Sequence, residues 1–131
     1  MVTEQVWIVD DDSSIRWVLE KALSNANISV GTFHNPEDLL IALEHTQPEV
    51  IISDIRMPNI DGMTLLGKIN DQFPHIPVII MTAHSDLDSA VNAYQGGAFE
   101  YLPKPFDIDD AVTLANRALT HARELKSKTQ H

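Results

Sequence analysis

Three stretches of this chain run apolar without alternation and stop on a polar group: Val6 to Asp10 (VWIVD), Val50 to Asp54 (VIISD) and Pro77 to Thr82 (PVIIMT). A strand with one wet face alternates apolar and polar residues, whereas a strand covered on both faces does not. Short unbroken runs of this kind therefore predict a parallel sheet sandwiched between helices. Parallel neighbours need long crossover connections, so a helix is expected after each strand. The polar residue at the end of each run then lies at the C-terminal edge of the sheet, where open α/β folds bind their ligands.

The segments between the runs fit that expectation. Asp12 or Ser13 can cap a helix whose Ile15, Val18, Leu19, Ala22 and Leu23 share one face, ending near Asn25; Trp17 falls off that stripe and is expected partly exposed. Ile28 to Phe33 is a weaker strand, interrupted by Ser29, Gly31 and Thr32, which suits a place near a sheet edge. Asn35, Pro36, Glu37 and Asp38 supply an N-cap, a proline in the first turn and two acids. The helix they open uses Leu39, Leu40 and Leu43 and stops before Pro48. A third helix is predicted from about Gly62 to Gln72, with Met63, Leu65, Leu66 and Ile69 inward. Ser85 and Asp88 have capping-box spacing for a fourth helix through Gln95, which Gly96 and Gly97 stop. Its interior holds poor helix formers, so it is a candidate moving part. Glu100 to Pro103 is a last short strand, with Pro103 and Pro105 suited to an edge. Asp107 then caps a final helix through Ile108, Val112, Ala115, Leu119 and Ala122, which gives way to a basic, polar tail from Lys126 to His131.

Five strands alternating with five helices predict a doubly wound, flavodoxin-like (βα)5 fold with strand order 2-1-3-4-5. In that order the first and third strands are neighbours, which brings Asp10, Asp11 and Asp12 to Asp54. The fourth strand adds Thr82 and the end of the fifth adds Lys104. We read Asp54 as a nucleophile. Carboxylates this close take up protons or share a cation. With oxygen donors alone, and no His or Cys at the strand ends, the metal expected is Mg²⁺. Which of Asp10, Asp11 and Asp12 bind it is open, with helix capping the preferred role for Asp12.

Charge and composition narrow the function classes. The 131 residues carry a formal net charge of −10, concentrated in residues 1–62, where 11 acids face 3 basic residues. Such a field repels nucleic acid phosphates and attracts divalent cations. The absence of cysteine removes disulfides and thiolate chemistry, and leans towards a reducing, cytoplasmic location. No apolar run is long enough for a membrane helix, and Met1 to Gln5 lacks the pattern of a secretory signal. One domain is expected from this length, with no room for a second.

The residues VDDDSSIR at 9–16, SDIRMPNIDG at 53–62, IIMTA at 79–83 and YLPKPF at 101–106 resemble, in order, the motifs of response-regulator receiver domains. The wording VDDDSSIRWVLE, MTAHSDLDSAV and GAFEYLPKPFDIDDAV is similar to the nitrogen regulatory protein C (NtrC) type of that family. The resemblance implies that Asp54 accepts a phosphoryl group from phosphohistidine of a sensor histidine kinase, or from a small acyl phosphate. It implies metal ligation by Asp11, Asp54 and the backbone carbonyl of Arg56, with Asp10 acting through water or as a neighbour. Thr82 matches the switch hydroxyl, Tyr101 the aromatic that follows it, and Lys104 the phosphoryl-binding lysine, with a cis bond before Pro105. The surface that responds is expected at Ser85, Asp86, Leu87, Val91 and Tyr94. Also implied are a homodimer through the face of the fourth helix, fifth strand and fifth helix, and downstream ATPase and DNA-binding domains acting in sigma-54-dependent nitrogen regulation.

Two other readings start from the same residues. Asp10, Asp12 and Ser14 approximate the aspartate, any residue, aspartate pattern of haloacid-dehalogenase-like phosphatases, with Asp10 as nucleophile and normally a longer chain. A flavodoxin-type flavin carrier needs a phosphate-cradling loop after the first strand, where three acids would repel the phosphate.

Overall fold

A computed structural model describes residues 4–56, 62–83 and 87–129. Its five strands are β1 (Val6–Val9), β2 (Val30–Phe33), β3 (Val50–Asp54), β4 (Val78–Ala83) and β5 (Glu100–Lys104). Between and after them run α1 (Ser13–Asn25), α2 (Pro36–Leu43), α3 (Gly62–Gln72), α4 (Leu87–Gln95) and α5 (Ile108–Thr129). All strand pairs are parallel, as the apolar runs predict, and the order is β2-β1-β3-β4-β5, as the alternation of five strands with five helices predicts.

The unbroken runs are explained by burial on both faces. Val6, Ile8, Val50, Ile52, Ile79, Met81 and Leu102 pack with α1 and α5, while Trp7, Val9, Ile51, Val78 and Ile80 pack with α2, α3 and Ala93 of α4. Alternate residues of one strand therefore enter opposite cores. Trp7 is buried and meets Phe33 edge-on, whereas Trp17 is 61% exposed, as its position off the α1 stripe predicts. On α5 the residues that cover the sheet are largely alanines, at 111, 115, 118 and 122, with Leu119 among them. Ile108, read as part of that inward face, is instead 53% exposed, because the covering begins one turn later at Ala111. The helix also continues to Thr129, through most of the stretch expected as tail.

Strand and helix boundaries move where caps claim residues. The strand expected from Ile28 starts at Val30, because Ile28 N–H bonds to the Leu23 carbonyl and Asn27 N–H to that of Ser24. These two bonds make a Schellman close to α1, with Asn27 at φ 65°. Asn35 caps α2 as predicted, its side chain accepting from Asp38 N–H at 2.8 Å, and Pro36 opens the helix. Leu39 and Leu43 of that helix are buried, and Leu40 only partly. Pro103 lies on β5, an edge strand, and the Lys104–Pro105 peptide that follows it is cis.

Candidate functional site

The C-terminal edge of the sheet collects the polar ends of four strands. Asp10 follows β1 and is completely buried; Asp54 ends β3 and is nearly so; Asp11 is exposed. One carboxylate oxygen from each lies within 4.8 Å of the other two. Asp12, the third acid of the run, is the N-cap of α1, its side chain accepting from Ser14 N–H at 2.9 Å. Capping thus occupies Asp12 and leaves Asp10, Asp11 and Asp54 together.

Lys104 joins them from β5. Its Nζ is 3.0 Å from Asp10 Oδ2 and 3.2 Å from Asp54 Oδ1. The other Asp10 oxygen, Oδ1, accepts from Asp12 N–H at 2.9 Å. Burial raises the Asp10 carboxyl above its usual range, with Asp54 adding to this, although the Asp12 N–H and Lys104 work against them. Burial alone would lower Lys104, but Asp10 and Asp54 outweigh it and hold the ammonium charged. Both effects describe one pair in a partly dry corner, short of positive charge.

Thr82 is buried on β4, one residue beyond Met81, which is the cross-strand partner of Asp54. Ile55 N–H donates to the Met81 carbonyl at 3.0 Å, so the ends of β3 and β4 stay paired past Asp54. Tyr101 is half-buried on β5 and meets Tyr94 of α4 edge-on, at 5.4 Å between ring centres. Val91 and Tyr94 are exposed. Arg56 is exposed just after β3. Ser85 and Asp86 lie outside the described residues; Leu87 begins α4, with only its backbone described.

Two residues not singled out in the sequence support this corner. The Arg16 guanidinium on α1 donates to the Asp10 backbone carbonyl, tying the helix to the turn that carries the acids. Gly62 opens α3 against the end of β3: its N–H bonds to the Ile55 carbonyl at 2.8 Å, and a Cβ there would stand 2.5 Å from the Asp54 carbonyl oxygen. The signal for Gly62 was a glycine where a helix starts, a position that does not itself require one. Arg16 gave none beyond its place one turn after the acids.

Three carboxylates, with no nitrogen or sulfur donor grouped with them among the described residues, form a hard-oxygen set that fits Mg²⁺, with room for water ligands on the exposed Asp11 side. Asp10, the nucleophile of the phosphatase-like alternative, has both carboxylate oxygens engaged, one by Lys104 and one by the Asp12 N–H.

The chain is similar to known proteins in sequence and in fold. Residues 6–116 match the response regulator receiver domain family. The chain is 61% identical over 121 residues to the DNA-binding transcriptional regulator NtrC of Proteus hauseri, covering 92% of this chain and 26% of that protein. To NtrC of Escherichia coli K12 it is 61% identical over 119 residues, covering 91% and 25%. It therefore spans about a quarter of the length of these relatives. The solution structure of the apo receiver domain of NtrC superposes with a TM-score of 0.81 at 61% identity, over 90% of this chain and 95% of that one. The BeF3-activated form of the NtrC receiver matches with a TM-score of 0.77 at 60% identity, over 92% and 98%. The chain belongs to the response regulator receiver domain family, as a receiver of NtrC type in two-component signalling.

Proposed function

We propose that this receiver accepts a phosphoryl group on Asp54 and converts the added charge into a change on the α4 and β5 surface. The observation that supports it most directly is Lys104 bridging Asp10 and Asp54, with Asp11 alongside. An Asp54 carboxylate oxygen attacks phosphorus; the P–N bond of a sensor kinase phosphohistidine, or the P–O bond of acetyl phosphate, breaks, and an acyl phosphate forms on Asp54. Asp11, Asp54 and the Arg56 carbonyl would hold Mg²⁺, with Asp10 beside them. When bound, that ion neutralises charge on the phosphoryl oxygens. Lys104 turns from Asp10 towards the new phosphoryl group, and Thr82 donates to another of its oxygens. A buried hydroxyl drawn to the phosphoryl group leaves space for Tyr101 to follow, which disturbs its contact with Tyr94. Moving a two-state equilibrium from 1:99 to 99:1 needs about 5.5 kcal/mol, within reach of two or three charge-assisted bonds.

In this reading the receiver occupies residues 1–124 and residues 125–131 begin the connection to a downstream ATPase and DNA-binding output. The face of α4, β5 and α5 forms a homodimer contact. The protein works in the cytoplasm; no helix among the described residues is long and apolar enough to cross a membrane.

Incubation with acetyl phosphate and Mg²⁺ followed by mass spectrometry tests the assignment. The expected result is a single added phosphoryl group, lost in Asp54→Asn. Labelling that survives Asp54→Asn and disappears in Asp10→Asn would overturn it.

A further inference from the structure

Both polar atoms of the peptide that follows Asp54 are taken. Ser53 Oγ, itself buried, donates to the Asp54 carbonyl at 3.0 Å. Ile55 N–H donates across to the Met81 carbonyl of β4 at 3.0 Å. The next carbonyl, that of Ile55, accepts from Gly62 N–H at 2.8 Å. Asp54 is the last residue of β3, so its backbone is extended and the following N–H points along the sheet into the neighbouring strand. Ile55 is buried, and Gly62 lies so near that a Cβ there would stand 2.6 Å from Ile55 Cα. Chain leaving a ligand-binding edge is ordinarily its loosest part. Here the first peptide beyond the acid is fixed.

That peptide is also the nearest competitor for an activated Asp54 carboxyl. The nitrogen of the residue after an aspartate can attack Cγ and close a succinimide ring. A free carboxylate resists this for want of a leaving group, but an acyl phosphate has one. The Ile55 nitrogen would bond to Asp54 Cγ, and the Cγ–O bond to the phosphate would break. Inorganic phosphate would leave with that electron pair, and the amide proton would pass to water. Water then opens the ring to aspartate or to isoaspartate, which lengthens the backbone at the phosphoacceptor itself. Before any of this the peptide plane must turn until its nitrogen faces Cγ. Turning it breaks the Ile55–Met81 bond and the Ser53 bond together.

We propose that the Asp54–Ile55 peptide, held by Ser53, Met81 and Gly62, keeps the backbone from capturing the acyl phosphate, and that Asp54 becomes a succinimide and isoaspartate site once the peptide is released. The acyl phosphate rests on the phosphoacceptor reading. The restraint on the peptide stands on the geometry above.

Mass spectrometry of the intact chain and its peptides tests the two separately. Asp54→Asn closes the same ring with ammonia as the leaving group and needs no phosphoryl transfer. Its loss of ammonia at residue 54 is expected to be about twentyfold slower in native buffer than in urea, the product of two ordinary backbone hydrogen bonds. Equal rates overturn the restraint. Adding Ser53→Ala to Asp54→Asn should speed the native reaction about fivefold, the effect of one such bond, and leave the urea rate alone. A native rate unmoved by Ser53→Ala overturns the part given to Ser53. Wild type labelled with acetyl phosphate and Mg²⁺ is then transferred to native buffer or to urea. Native buffer should return the starting mass, and urea should also yield a form one water lighter at residue 54. The lighter form in equal amount under both conditions, or under neither, overturns the proposal. Wild type that takes up no phosphoryl group overturns the phosphoacceptor reading instead, and the restraint is then decided by Asp54→Asn.

Discussion

Lys104 lies nearer to Asp10 than to Asp54, 3.0 Å against 3.2 Å, so its ammonium is shared between a fully buried acid and the acid at the strand end. A lysine in that position competes with any cation that enters the carboxylate corner. Replacing it with methionine removes one positive charge a few ångströms from the Mg²⁺ site. Even at the dielectric of water this is worth about 0.7 kcal/mol at 6 Å. Lys104→Met is expected to bind Mg²⁺ about threefold tighter or more by calorimetric titration. Weaker or equal binding would show that the lysine does not oppose the metal.

Asp10 sets a pH dependence of definite sign. Burial, the largest cause, raises its carboxyl above the ordinary 3.8, so the folded state holds that proton more tightly than the unfolded chain does. The associated stability is complete below 3.8 and is lost as pH rises through the folded value. In EDTA, Asp10→Asn should therefore gain stability relative to wild type as pH rises from about 4 to about 7. Urea unfolding at several pH values measures this, and a flat or falling difference would contradict it. Lys104, also raised, contributes stability below 10.5 that is lost only as pH climbs through its folded value.

Asp11 is exposed beside two other carboxylates and has the weakest claim to a structural role. Asp11→Asn relieves like-charge repulsion and should stabilise the metal-free protein by about 0.5 kcal/mol, the scale of an exposed charge pair. It should also abolish most of the stabilisation that millimolar Mg²⁺ gives the wild type. Thermal melts with EDTA and with MgCl₂ would show the two effects with opposite signs.

Gly62→Ala tests the fit between α3 and β3. The added methyl would meet the Asp54 carbonyl oxygen at 2.5 Å and Ile55 Cα at 2.6 Å, both backbone atoms that cannot rotate aside. A loss of about 2 kcal/mol or more is expected from such overpacking, with weaker phosphoryl labelling because Asp54 itself is pushed. A melting temperature within a degree of wild type would show that the helix start moves freely.

The apolar runs made the sheet legible, because burial on both faces leaves a strand no alternation to display. The same runs placed Asp10, Asp54 and Thr82 at their ends, and the strand order then brought those ends together. Asp12 was separable from its two neighbours only through its cap on α1. Ile108 misled because periodicity tells which residues share a face, not where along a helix the neighbouring layer begins. Ile28 was lost from its strand to a Schellman motif whose αL residue is Asn27, a less obvious stop signal than glycine. Gly62 and Arg16 were hidden for a common reason: each acts on a backbone carbonyl supplied by another segment. Such a contact depends on three-dimensional approach and leaves no pattern in spacing.

The two tryptophans sit at opposite extremes, Trp7 sealed at 1% exposure and Trp17 open at 61% on the helix that Asp12 caps. The molecule thus carries its own pair of optical gauges. A water-soluble quencher reaches the outer indole and not the inner one, so red-shifted emission reads α1 next to the acidic turn while the blue-shifted remainder reports whether the sheet is intact. Events at the carboxylate corner and loss of the fold can then be told apart in one cuvette without attaching a dye.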